Sequence, residues 1–208
     1  MADVRTLKLW QGRIATELEV AGSGPPLLYL HGPWGLAPDR GFIARLTEGR
    51  TVYAPKFPGT SRGDHEAVHA LDGWLDLAVY HGELLDALKL SAPAVVGHSF
   101  GGLLAAEIAA AMPERVDSQA QAIWSQACTG KFVWPIADRG LSKRIHRIAA
   151  PTLIVWGEAD RIVAPAYAQE FAGKIAGARV AMIPSAGHLP QLEQPDAVVK
   201  ALSAFLGG

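Results

Sequence analysis

Residues 94–104 read Ala-Val-Val-Gly-His-Ser-Phe-Gly-Gly-Leu-Leu (AVVGHSFGGLL). An apolar run enters, a serine sits with a glycine two positions to either side, and an alanine- and leucine-rich stretch continues to Ala111. A short apolar run of this kind suits a strand buried on both faces, and the alanine-rich run suits a helix. The junction is therefore a sharp strand-to-helix turn. Gly97 and Gly101 supply the small neighbours that such a turn needs, and Ser99 projects out of the sheet with the next backbone N–H beside it. A serine hydroxyl in that position is a candidate nucleophile, provided that a base stands next to it. The alternative is a glycine-rich turn with a capping serine.

Working outward, four more apolar runs have the same character: residues 27–30, 51–54, 153–156 and 180–183. Helical spacing separates them. It groups Phe42, Ile43 and Leu46 on one face, then Leu71, Leu75, Ala78 and Val79, then Leu84, Leu85 and Leu88. Further helices are expected near Pro165 and Pro195, where proline suits a first turn. Residues 6–20 alternate loosely, with Gly12 as a turn, and predict an antiparallel hairpin. The pattern predicts an α/β fold, a mostly parallel sheet flanked by helices behind an N-terminal hairpin. One single domain is expected over 1–208, with residues 118–148 as a linker or remnant of a cap.

In such sheets, active groups gather beyond the carboxyl ends of the strands. There the chain places His31-Gly32, Ser99, the turn Gly157-Glu158-Ala159-Asp160, and Ala186-Gly187-His188. Serine, aspartate and histidine follow in the order 99, 160, 188. Glu158 is a rival acid that ranks below Asp160.

These residues resemble the α/β-hydrolase fold superfamily, of the serine esterase and C–C hydrolase type, over residues 27–116 and 151–208. The resemblance implies Ser99 as nucleophile, His188 as general base and Asp160 as the acid that orients it. A serine rather than an aspartate nucleophile weighs against the dehalogenases and epoxide hydrolases of this fold. The Phe100 amide is the first expected oxyanion donor. The second would follow His31-Gly32, but Pro33 has no N–H, so Trp34 is expected to donate, with Gly35 as the other candidate. His31, Gly32, Trp34, Phe132, Trp134 and Leu189 are the expected substrate-binding residues, with Trp124 and Val133 as further candidate walls.

The resemblance also implies a sheet strand and a cap of several dozen residues after the nucleophile helix. Residues 116–151 show no clean strand run. The chain is therefore expected to lack one strand and most of the cap, and the favoured explanation is a segment absent near 117–120.

Composition bounds the remainder. Half of the 208 residues are hydrophobic, and 19 basic against 20 acidic residues leave a net charge of −1. Nucleic acid and anionic membranes are not expected partners, because neither is attracted without a basic face. A small-molecule substrate is expected, with a homo-oligomer left open. Cys128 is the one cysteine, which suits a reducing, cytoplasmic setting. No cofactor and no metal are expected. His65 and His69 stand four apart without a convincing third ligand. Lys143, Arg144, His146 and Arg147 read as plain surface. The expected activity is a serine hydrolase acting on a small apolar ester or thioester. C–C cleavage of a vinylogous diketone and a catalytically silent ligand-binding scaffold are the alternatives.

Overall fold

The computed structural model describes residues 2–60, 65–116, 121–124 and 140–207. The chain opens with β1 (Asp3–Leu9) and β2 (Ile14–Ala21), an antiparallel hairpin in register from Asp3 opposite Val20 to Leu9 opposite Ile14. Its turn holds Trp10, Gln11 and Gly12 at φ of 56°, 57° and 80°. Left-handed backbone is unfavourable for the two residues with side chains. Trp10 is held there by its main-chain N–H on the Glu83 carboxylate at 2.8 Å and its indole N–H on the Ala70 carbonyl at 3.0 Å.

The elements that follow are β3 (Pro26–Leu30), α1 (Arg40–Leu46), β4 (Thr51–Pro55), α2 (Trp74–Ala87), β5 (Ala94–Gly97) and α3 (Phe100–Ala111). After them come β6 (Gln121–Trp124), α4 (Leu141–Arg144), β7 (Thr152–Gly157), α5 (Ala166–Lys174), β8 (Arg179–Ile183), α6 (Pro190–Glu193) and α7 (Pro195–Leu206). Among the described residues the sheet has eight strands in the order β1-β2-β4-β3-β5-β6-β7-β8. The hairpin joins β4 antiparallel, and β3 to β8 run parallel to one another.

Successive residues of a strand face opposite ways, and β3 divides the core accordingly. Leu28 and Leu30 pack with Leu84, Leu104 and Ile108 on one face. Leu27 and Tyr29 pack with Phe42, Leu46 and Leu202 on the other. The continuous apolar runs are thus strands covered by helices on both sides.

Two expectations are corrected. The strand expected to be missing is present: β6 occupies the position between β5 and β7, with Val95 opposite Gln121 and Ile123 opposite Ile154. It carries no apolar run in the sequence because it is four residues long and lies among Ser118, Gln119, Gln121, Ser125 and Gln126. Trp124 accordingly belongs to the sheet and not to a cap. Residues 125–139, between β6 and α4, lie outside the described residues. The second correction concerns α2. It buries Leu77, Ala78, Tyr80, His81, Leu84 and Leu85, while Leu75 and Val79 are exposed at 68% and 46%. The helix begins at Trp74, so Leu71 does not set its phase, and the sheet takes the face spaced 77, 80, 84.

Among the described residues, no helix is long and apolar enough to cross a membrane.

Candidate active site

The turn between β5 and α3 is as sharp as its glycines suggest. A Cβ on Gly97 would lie 2.3 Å from the Gly101 carbonyl oxygen, and one on Gly101 only 2.0 Å from the Leu30 oxygen. Neither distance is tolerable against backbone, so both positions require glycine. Ser99 sits between them at φ 53° and ψ −116° and is fully buried. Such a conformation costs a non-glycine residue roughly 1–3 kcal/mol, and it persists only where the surroundings enforce it. Here His98 N–H donates to the Leu30 carbonyl at 3.0 Å, Gly101 N–H to His98 at 2.9 Å and Gly102 N–H to Ser99 at 2.9 Å.

Beyond β7, the Asp160 side chain is fixed from two sides. Its Oδ1 accepts the N–H groups of Ile162 and Val163 at 2.8 and 2.9 Å. Its Oδ2 lies 2.9 Å from His188 Nδ1. Both residues are buried, so the pair is shielded from competing water. Glu158 is exposed, and Asp160 rather than Glu158 meets the imidazole. An acceptor-only carboxylate at Nδ1 selects the tautomer with the proton there and leaves Nε2 as the basic nitrogen. The loops that bring β7 and β8 residues together also need a glycine. A Cβ on Gly157 would stand 2.1 Å from the Gly187 carbonyl oxygen.

Glu193 on α6 steadies the histidine loop from outside. Its two carboxylate oxygens accept the N–H of Gly187 at 2.6 Å and of Leu189 at 3.0 Å, the residues on either side of His188.

The loop after β3 turns tightly. Gly35 N–H donates to the Gly32 carbonyl at 3.3 Å, closing a four-residue turn with Pro33 at its second position. Proline is favoured there because its φ is preset. This bond commits Gly35, which leaves the Trp34 amide as the second oxyanion candidate beside Phe100. Trp34 is 57% exposed.

A cavity of about 250 Å³ lies at this edge, lined by Gly32, Trp34, Pro38, Asp39, His98 and Leu189 among others. It draws on the loop after β3, the residue before Ser99 and the residue after His188. Gly32, Trp34 and Leu189 of the expected binding set line it. His31 does not. It is buried, its Nε2 accepts Phe57 N–H at 3.2 Å, and its Nδ1 lies 2.6 Å from the Gly32 carbonyl. Burial pushes its pKa down to about 4, so it is a neutral brace of the loop. Phe132, Val133 and Trp134 lie outside the described residues.

His65 and His69 lie on a short 3₁₀ turn, and among the described residues no three His, Cys, Asp or Glu side chains cluster as a metal site.

Three residues at this edge carried no sequence signal. Asp39 has the residue type of a helix N-cap, and Gln191 and Glu193 are polar residues with no motif around them. Only Glu193, six residues from Gly187, is local enough to have been sought.

A family model described as "alpha/beta hydrolase fold" matches residues 25–120, and another described as "Alpha/beta hydrolase family" matches residues 110–201. Over 111 residues the chain is 36% identical to the 2-hydroxymuconate semialdehyde hydrolase of a Pseudomonas species, covering 50% of this chain and 38% of that one. Over 66 residues it is 33% identical to a monoacylglycerol lipase of Xenopus laevis, covering 32% of this chain and 20% of the relative. The matches thus span well under half the length of these relatives. At 27% identity, 94% of this chain aligns with 67% of the dihydrolipoyllysine-residue acetyltransferase component of an acetoin cleaving system from Pseudomonas putida. That alignment runs to 256 positions, longer than this chain, so the relative carries inserted residues that this one lacks. Among solved structures, a carboxylesterase of Bacillus subtilis superposes with a TM-score of 0.80 at 19% identity, covering 100% of this chain and 93% of that one. The meta-cleavage product hydrolase of Pseudomonas fluorescens superposes with a TM-score of 0.78 at 19% identity, covering 98% and 97%.

Proposed function

The chain belongs to the α/β-hydrolase superfamily, and we propose that within it the protein is a serine hydrolase acting on small, largely apolar esters or thioesters. One observation carries the reading. The 2.9 Å Asp160–His188 pair stands on the same edge of the sheet as a serine strained into the left-handed region at the mouth of a helix. A surface turn has no use for either feature.

The reaction follows from the atoms. His188 Nε2 takes the proton of Ser99 Oγ as the oxygen attacks the substrate carbonyl, and Asp160 stabilises the imidazolium that forms. The amides of Phe100 and Trp34 receive the charge that develops on the carbonyl oxygen. His188 returns the proton to the departing alcohol or thiol, leaving an acyl group on Ser99. Water, deprotonated by the same nitrogen, then releases the acid and restores the serine. The same three side chains serve both halves.

The lining of Trp34, Pro38, Leu189 and Leu192 supports an apolar acyl or alcohol group. C–C cleavage of a vinylogous diketone is the second reading, favoured by the similarity to the 2-hydroxymuconate semialdehyde hydrolase.

A fluorophosphonate probe and short p-nitrophenyl esters test the proposal. The expected result is one adduct on Ser99, ester turnover, and loss of both in Ser99→Ala. An unlabelled protein, or undiminished turnover in the variant, sinks it. Turnover of a vinylogous diketone with esters left intact selects the second reading.

A further inference from the structure

Asp39 directly precedes α1, where an aspartate ordinarily turns its carboxylate onto the first free N–H groups of the helix. Here it makes no such bond. The side chain faces inward and is 1% exposed. Its Oδ1 accepts a hydrogen bond from Gln191 Nε2 at 3.1 Å. Its Oδ2 lies 3.5 Å from Nδ1 of His98, the neighbour of Ser99.

A carboxylate turned away from a helix that would welcome it, into a buried site, needs partners to offset its desolvation. It has them. Burial pushes the Asp39 carboxyl up, but His98, Gln191 and Tyr29 outweigh that and hold it below its ordinary value. The partners come from separate elements. His98 belongs to the elbow, and Gln191 to the helix that follows the His188 loop. Asp39 itself ends the loop that carries Trp34. Gly32 closes the same contact from the other side, because a Cβ there would stand 2.8 Å from His98 Nδ1.

We propose that Asp39 is a positioning residue for the reaction at Ser99, tying the loop after β3, the elbow and α6 into one frame that sets the distance from the oxyanion donors to Ser99 Oγ. This rests on the reading of Ser99 as nucleophile. The carboxylate acts through His98 and Gln191 and touches no reacting atom. Its main effect therefore falls on the transition state.

The test compares wild type, Asp39→Asn and Gln191→Ala. Fluorophosphonate titration counts functional sites, and p-nitrophenyl ester kinetics give kcat and KM per titrated site. Asparagine keeps the shape but replaces a carboxylate oxygen, the acceptor that faces His98 and Gln191, by an amide. For Asp39→Asn, kcat per titrated site is expected to fall roughly ten- to hundredfold, the scale of a misplaced reacting group, with KM within about twofold. A purely structural role would lower the number of titratable sites and leave kcat per site unchanged, and that result overturns the inference. If Asp39→Asn does not fold, Gln191→Ala decides: a several-fold lower kcat per site upholds the frame, and an unchanged value removes it. Labelled wild type with full turnover in the variants defeats this inference alone. Wild type that takes no adduct defeats the Ser99 reading, and the frame falls with it.

Discussion

The two edges of the sheet make an instructive contrast. At the amino edge, a cavity of about 440 Å³ opens between the start of β3, the turn before β4 and the end of α7. Two of its charged residues are engaged in holding the fold: Arg50 donates to the Leu206 carbonyl at 2.7 Å, and Arg45 pairs with the exposed Asp196. At the carboxyl edge the cavity is smaller, about 250 Å³, yet it is lined by His98 and Leu189, the chain neighbours of the strained Ser99 and of the buried His188, and by the inward-facing Asp39. Size does not single out the candidate site. What marks it is polar groups kept out of water at a cost the fold must offset, since burial without function would favour apolar replacements.

The contrast breaks most plainly at Asp160. Asparagine there keeps the shape but presents an amide to His188, so the tautomer choice is lost. Ester turnover is expected to fall about 10³–10⁴-fold, while the melting temperature stays close to that of wild type. Turnover within tenfold of wild type would show that the carboxyl edge does not use this pair.

A matched pair of glycine substitutions sharpens the comparison. Gly101→Ala sets a Cβ 2.0 Å from the Leu30 oxygen at the elbow, and Gly22→Ala sets one 2.2 Å from the Arg50 oxygen at the amino edge, where φ is +84°. Both are expected to cost several kcal/mol of stability, on the order of 2–4. Only Gly101→Ala should also abolish turnover per folded molecule. Equal kinetic damage from the two would erase the distinction between the edges. Urea unfolding together with active-site titration reads both quantities.

Acid is expected to act on stability and to leave the contrast between the two edges in place. Burial depresses His31 and His81 to about 4, against an ordinary value of 6.5. The unfolded chain therefore binds protons that the folded chain refuses. Stability is full above pH 6.5 and is lost as pH falls toward 4, by roughly 2 kcal/mol per imidazole at pH 5. His81→Phe should remove about half of that slope. A free energy of unfolding that stays flat between pH 7 and 5 contradicts the burial assigned to these rings.

How much was readable depended on the reach of each signal. The parallel sheet was, because five of its strands carry their own apolar runs and each face is covered. The strand β6 was not: four residues among glutamines and serines have no periodicity to detect, and they join the sheet because β5 and β7 present open edges on both sides. The face of α2 was misjudged for a related reason. Leucines lie on more than one side of it, and the sheet, not the helix, chose among them.

The site divides along the same line. By itself the sequence determined the α/β class, the elbow around Ser99 and the succession of serine, acid and histidine, since each is written in consecutive residues or in their order. Only the tertiary structure decided that Asp160 and not Glu158 meets His188, that Gly35 is committed within its turn, and that Asp39 abandons its cap for Gln191, 152 residues away. Chain neighbours impose local conformation through sterics and periodic burial. Which polar groups share a dry pocket is settled by packing elements whose separation along the chain leaves no local trace.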